Sequence, residues 1–134
     1  MKIAIEAQRI FRLNKHGMDF VALETIRELQ KRNDGNHYFV IVAPGEDHCL
    51  KESANLSIIE LKCPSYPLWE QIALPKTVKR LGVDLLHCTS NTAPLRCPVP
   101  LVLTLHDIIY LEPRQYRTPS LYQEMGGHYR RLVV

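Results

Sequence analysis

The chain has 134 residues, 46% hydrophobic and 23% charged, enough for one domain with a buried core. Its 17 basic and 14 acidic residues leave a net charge of +3, too mild for a nucleic-acid-binding surface, and Lys and Arg form no long run. No apolar run approaches the ~18 residues of a membrane span, and Glu6 interrupts the N-terminal apolar stretch before it reaches signal-peptide length.

The four cysteines, Cys49, Cys63, Cys88 and Cys97, form no C-x-x-C pair, so free thiols and a cytoplasmic location are expected. Basic residues gather late, at Arg114, Arg117, Arg130 and Arg131. They read as a solvated face or as a surface for phosphate or anionic lipid at the inner membrane face.

In chain order, "KIAIEA" from Lys2 reads as a first strand and "QRIFRLNKHG" as a loop. "MDFVALETIRELQKRN" places Met18, Val21, Ala22, Ile26 and Leu29 at helical spacing, and "NDGN" ends that helix. "HYFVIVAP" is apolar at nearly every position, which predicts a strand covered on both faces. "GEDHCLKES" is a polar loop with room for a turn of helix, and "LSIIELK" is a further strand. "LWEQIALPKTVKRLG" has helical period, but Pro75 inside it predicts a kink, or two short helices with Pro75 in the first turn of the second. "VDLLHCT" and "LVLTL" are two more strands, separated by a loop with three prolines. A final helix is predicted in "SLYQEMGGHYRRLVV", capped by Thr118 or Ser120.

Strands alternating with helices, several of them apolar throughout, predict an α/β fold: a three-layer Rossmann-like domain with a mostly parallel sheet. The chain ends at "HYRRLVV" without a capping signal, so residues 1–134 are expected to be one truncated domain of a longer protein. Open strand edges would then favour self-association.

Ligands of open parallel sheets bind beyond the carboxyl ends of the strands. Arg9 follows the first strand there, Ser90 and Asn91 follow "DLLHCT", and His106 and Asp107 follow "LVLTL". His16 and Gly17 lead into a helix N-terminus, where free amides favour an anion. A core role for His106, bonded to a neighbouring carbonyl, stays open. So do a Cys88–His106 thiol–imidazole pair, a zinc site from His87, His106 and Asp107, and phosphorylation of Asp107. No D-x-D pair occurs, so no metal site is expected.

Three stretches carry a resemblance. "IEAQRIFRLNKHGMDFVALETIRELQKR", "LWEQIALPKTVKRLGVDLLHCTSNTAPL" and "CPVPLVLTLHDIIYLEPRQY" are similar, in order and spacing, to the N-terminal half of the group 1 (family 4) glycosyltransferases of the GT-B fold. The mannosyltransferase-like subgroup of surface-polysaccharide synthesis resembles them most. The family's frequent Gly-x-Gly-like turn reads "HGMDF" here, and nothing matches the nucleotide-binding C-terminal half with its Glu-x7-Glu element.

The resemblance implies a retaining, metal-independent transferase with no bound cofactor. A nucleotide sugar, GDP-mannose above all, would donate a hexose to a saccharide or lipid-linked acceptor. His106 would face the donor sugar, with Asp107 supporting its loop. His16 and Gly17 would lie near the donor diphosphate. Arg9, Trp69, Glu70, Ser90 and Asn91 would line the acceptor side or cleft, with packing an equal role for Trp69. The missing C-terminal domain would complete the enzyme in cis, and the fragment alone would not catalyse. The other readings are a stand-alone flavodoxin-like anion-binding or signalling module, another GT-B-like enzyme, and a non-catalytic scaffold.

Overall fold

A computed structural model describes residues 1–106. Asp107, the four late arginines and the helix expected after Thr118 or Ser120 lie outside the described residues. In order the elements are β1 (Lys2–Glu6), α1 (Gly17–Gln30), β2 (His37–Val42), β3 (Leu56–Glu60), α2 (Tyr66–Leu68), a π turn (Trp69–Ala73), α3 (Leu74–Leu81), β4 (Leu85–Cys88) and β5 (Leu101–Leu103).

All four strand pairings are parallel, in the order β3-β2-β1-β4-β5. β1 is central because its neighbours shield both edges, and Ala4, Ile5 and Glu6 are all buried. Side chains alternate between two cores, as the period of two in a strand requires. Ile5, Val40, Val42 and Leu56 pack with Ala22, Leu23 and Ile26 of α1. Ala4, Ile41, Leu86 and Cys88 pack on the other face with Trp69, Leu74 and Val78. The three-layer α/β expectation is met.

Several details differ from the expected pattern. The inward stripe of α1 is Asp19, Ala22, Leu23 and Ile26, and Val21 is exposed. Asp19 takes the first inward position because its carboxylate is committed to the chain ahead of the helix, as described below. The segment between β2 and β3 forms no helix, yet it buries Leu50 against the α1 side of the core. Among the described residues β5 is less enclosed than its apolar sequence predicts: Leu101 and Val102 are 38% and 46% exposed.

Pro75 does fall in the first turn of α3. A proline ring presses on the carbonyl four residues back and supplies no N–H. The chain widens just ahead of it into the π turn, where the Leu74 amide donates to the Trp69 carbonyl. Gly82, at φ 65°, closes α3 in the left-handed conformation that glycine adopts without strain. Among the described residues no helix is long and apolar enough to cross a membrane.

Candidate functional site

The chain moves outward from β1 through β2 to β3, then returns to the other side of β1 for β4 and β5. The direction reverses between β1 and β4, and it is at such a reversal, beyond the carboxyl ends of the two strands, that open parallel sheets form their ligand crevice. Glu6 stands at the end of β1 and Thr89 just past β4.

Glu6 is 1% exposed. Its carboxylate accepts from the amides of Thr89 (3.3 Å) and Gln8 (3.4 Å), and the Thr89 hydroxyl donates to its main-chain oxygen at 2.7 Å. Burial, and then the charge of Glu70, push its pKa up from 4.5 to about 7. Glu70, on the π turn, is fully buried and accepts from the Tyr66 hydroxyl at 2.7 Å and the Thr92 hydroxyl at 2.6 Å. The Tyr66 phenol is held far above its usual range by burial and by the two carboxylates. The Arg9 guanidinium lies 5.1 Å from the Tyr66 ring centroid, a cation–π contact at the mouth of the crevice.

Beyond β4 and β5 the two loops are joined through Asn91. This buried residue has φ 68°, a left-handed conformation that Asn tolerates better than most residues. Its amide donates to the Thr104 carbonyl at 3.1 Å and its Oδ1 accepts from the His106 amide at 2.6 Å. Its Nδ2 reaches the sulfur of Met18 in the first turn of α1, at 3.6 Å. The His106 ring is fixed as well, with Nε2 2.6 Å from the Thr89 carbonyl oxygen. Ser90 is half-buried beside Thr89, its hydroxyl 3.5 Å from that of Thr89.

His16 and Gly17 are exposed at the start of α1. The Asp19 carboxylate accepts from the His16 amide at 2.8 Å and pairs with Arg12, whose Nη2 is 2.8 Å away. That pair is neutral, so the positive field of this helix end comes from its own first-turn amides. A Cβ on Gly17 would meet nothing within 4 Å, so the chain's own packing does not demand glycine there. Gly45 is the opposite case. A Cβ there would sit 2.3 Å from the Phe11 carbonyl oxygen, because the loop after β2 lies directly on the loop after β1. The Asp47 amide donates to that same oxygen at 2.8 Å, and the buried Lys15 ammonium pairs with the Asp47 carboxylate.

The structure therefore joins Ser90, Asn91 and His106 beyond β4 and β5, with Met18 of the first turn of α1 against Asn91, and sets Arg9 against Tyr66. It does not bring Trp69 and Glu70 to the surface. Trp69 is a core residue, 1% exposed, whose Nε1 donates to the Leu61 carbonyl at 3.0 Å. Glu70 lies beneath the strand-end edge, bonded to the Tyr66 and Thr92 hydroxyls and acting by its charge on Glu6. Cys88 is not an activated thiol, since burial pushes its pKa well up and Glu6 and Glu70 add to the shift. His87 is bonded to the Thr104 hydroxyl at 2.7 Å, and burial lowers its pKa. Among the described residues no three His, Cys, Asp or Glu side chains converge on a metal position. Sequence reasoning missed Glu6, Tyr66, Thr89 and Thr92 as a network. The available signal was an acid closing the apolar strand "KIAIE".

No curated protein and no solved structure gives a significant match to the chain. A family profile does match, over residues 16–134, which takes in α1, the π turn, the Asn91 loop and His106. The profile describes Glycosyltransferase Family 4, and with most of the chain matched, this protein belongs to that family.

Proposed function

We propose that the chain is the acceptor-side half of a retaining, metal-independent glycosyltransferase. It moves a hexose, with mannose the first candidate, from a nucleotide sugar to a saccharide or lipid-linked acceptor. The observation that carries this reading is the convergence at the strand-order reversal. His106 is fixed by two hydrogen bonds there, to Asn91 and to the Thr89 carbonyl, and Asn91 reaches Met18 in the first turn of α1.

In this reading His106 binds the donor sugar. The leaving diphosphate develops negative charge, which the first-turn amides meet at Gly17, a residue with open space where a side chain would stand. Arg9 offers guanidinium donors on the acceptor side. The nucleotide is held mainly by a C-terminal domain in cis.

The test is donor consumption by the complete reading frame, with GDP-mannose, UDP-glucose and UDP-galactose each offered in EDTA with membrane extract as acceptor source. Release of nucleoside diphosphate from one donor is expected, falling at least tenfold in His106→Ala. Failure with every donor sinks the proposal and favours an anion-binding module.

A further inference from the structure

His106 is held from two directions. Its main-chain N–H donates to Asn91 Oδ1 at 2.6 Å, and its ring Nε2 lies 2.6 Å from the Thr89 carbonyl oxygen. A carbonyl oxygen only accepts, so Nε2 must carry the proton in this bond. In the neutral ring the proton is then absent from Nδ1, which keeps its lone pair.

We propose that Asn91 and the Thr89 carbonyl are positioning groups. They lock the neutral His106 ring as the Nε2–H tautomer, so that Nδ1 is the nitrogen offered to the ligand, as a hydrogen-bond acceptor for a sugar hydroxyl. The ligand's identity rests on the glycosyltransferase reading; the tautomer does not. Thr89 is itself tied to β1, through its hydroxyl on the Glu6 carbonyl (2.7 Å) and its amide on the Glu6 carboxylate (3.3 Å). The left-handed backbone at Asn91 aims its Oδ1 back at the β5 loop while its own amide holds Thr104. The ring orientation is thus set by the two strands that flank the crevice.

The experiment uses the complete protein with ¹⁵N-labelled histidine. Two-bond ¹H–¹⁵N spectra at a pH where the ring is neutral report which nitrogen holds the proton. Wild type is expected to show a protonated-type shift at Nε2 and a lone-pair-type shift at Nδ1. Asn91→Gly keeps the left-handed backbone and removes only the side chain. It should retain the fold, mix the tautomers and lower kcat about tenfold with little change in donor KM. Asn91→Asp keeps the Oδ1 acceptor and should restore both readouts to within about threefold. An Nδ1–H tautomer in wild type overturns the proposal, as does an Asn91→Gly protein with unchanged ring shifts and turnover. The predicted tautomer in a protein that consumes no nucleotide sugar would uphold the positioning and overturn the sugar as its ligand.

Discussion

Glu6 is a carboxyl group almost wholly shielded from solvent, and the like charge of Glu70 acts on it. Burial first, and the charge of Glu70 second, disfavour the ionised form of Glu6. The direction of the stability effect follows. The folded state binds the Glu6 proton more tightly, at a pKa of about 7, than the unfolded chain does near 4.5. Stability from this group is therefore complete below about pH 4.5, falls as pH rises to about 7, and is flat above. The difference amounts to about 3 kcal/mol by the pKa–free-energy conversion. Glu6→Gln is a neutral near-isostere and should remove most of this slope. Urea unfolding at pH 5 and pH 8 will show it: wild type should lose stability at pH 8, and the variant should lose much less. An unchanged slope in Glu6→Gln would place the titrating group elsewhere.

At the scale of elements, two glycines make opposite demands. Gly45 is required by contact, since a methyl group there would strike the Phe11 backbone, which cannot swing aside as a side chain can. Gly45→Ala should destabilise the protein by about 1–3 kcal/mol, as overpacking does. Gly17 opens α1 with free space around it. Gly17→Ala should leave stability unchanged or raise it by up to about 1 kcal/mol. The same substitution should lower turnover tenfold or more if a diphosphate approaches that backbone. Thermal melts beside donor-release assays separate the two: a Gly17→Ala protein with full activity would remove the helix end from the donor site. Much at this scale was legible in the sequence. Pro75 announced an irregularity ahead of α3, which is a π turn within a continuous helical run, and the apolar sequence of β2 announced a strand covered on both faces, whereas that of β5 overstated its burial. The inward face of α1 was legible in part: the spacing found Ala22 and Ile26, with Leu29 packed beside them, but missed Leu23 and Asp19. Hydrophobic spacing favoured Val21, whereas the Arg12–Asp19 pair and the His16 amide brought an acid inward instead.

For the whole molecule, alternation of strands and helices was enough to predict the layers and to point at the strand-end edge where His106 and Asn91 meet. The network behind them was hidden because Glu6 and Glu70 come from distant parts of the chain, and only the pairing of β1 with β4 and the packing of the π turn bring them together. Trp69 was ambiguous for a related reason: an indole suits a sugar or a core equally well until its burial is known. One feature of the assembly reaches further than local packing. The loops after β1 and β2 are clamped by Gly45 on Phe11, by the Asp47 amide, by the Lys15–Asp47 pair, and by the Ala43 amide on the Gln8 carbonyl at 3.0 Å. Two irregular segments held this way should breathe as one cooperative unit. In hydrogen–deuterium exchange the amides of Ala43 and Asp47 should share one opening free energy, and Gly45→Ala should speed both by a similar factor. If Asp47 exchanges at the rate of a free loop, the segment that carries His16 and Gly17 to the crevice is not pre-ordered, and ligand binding would have to order it.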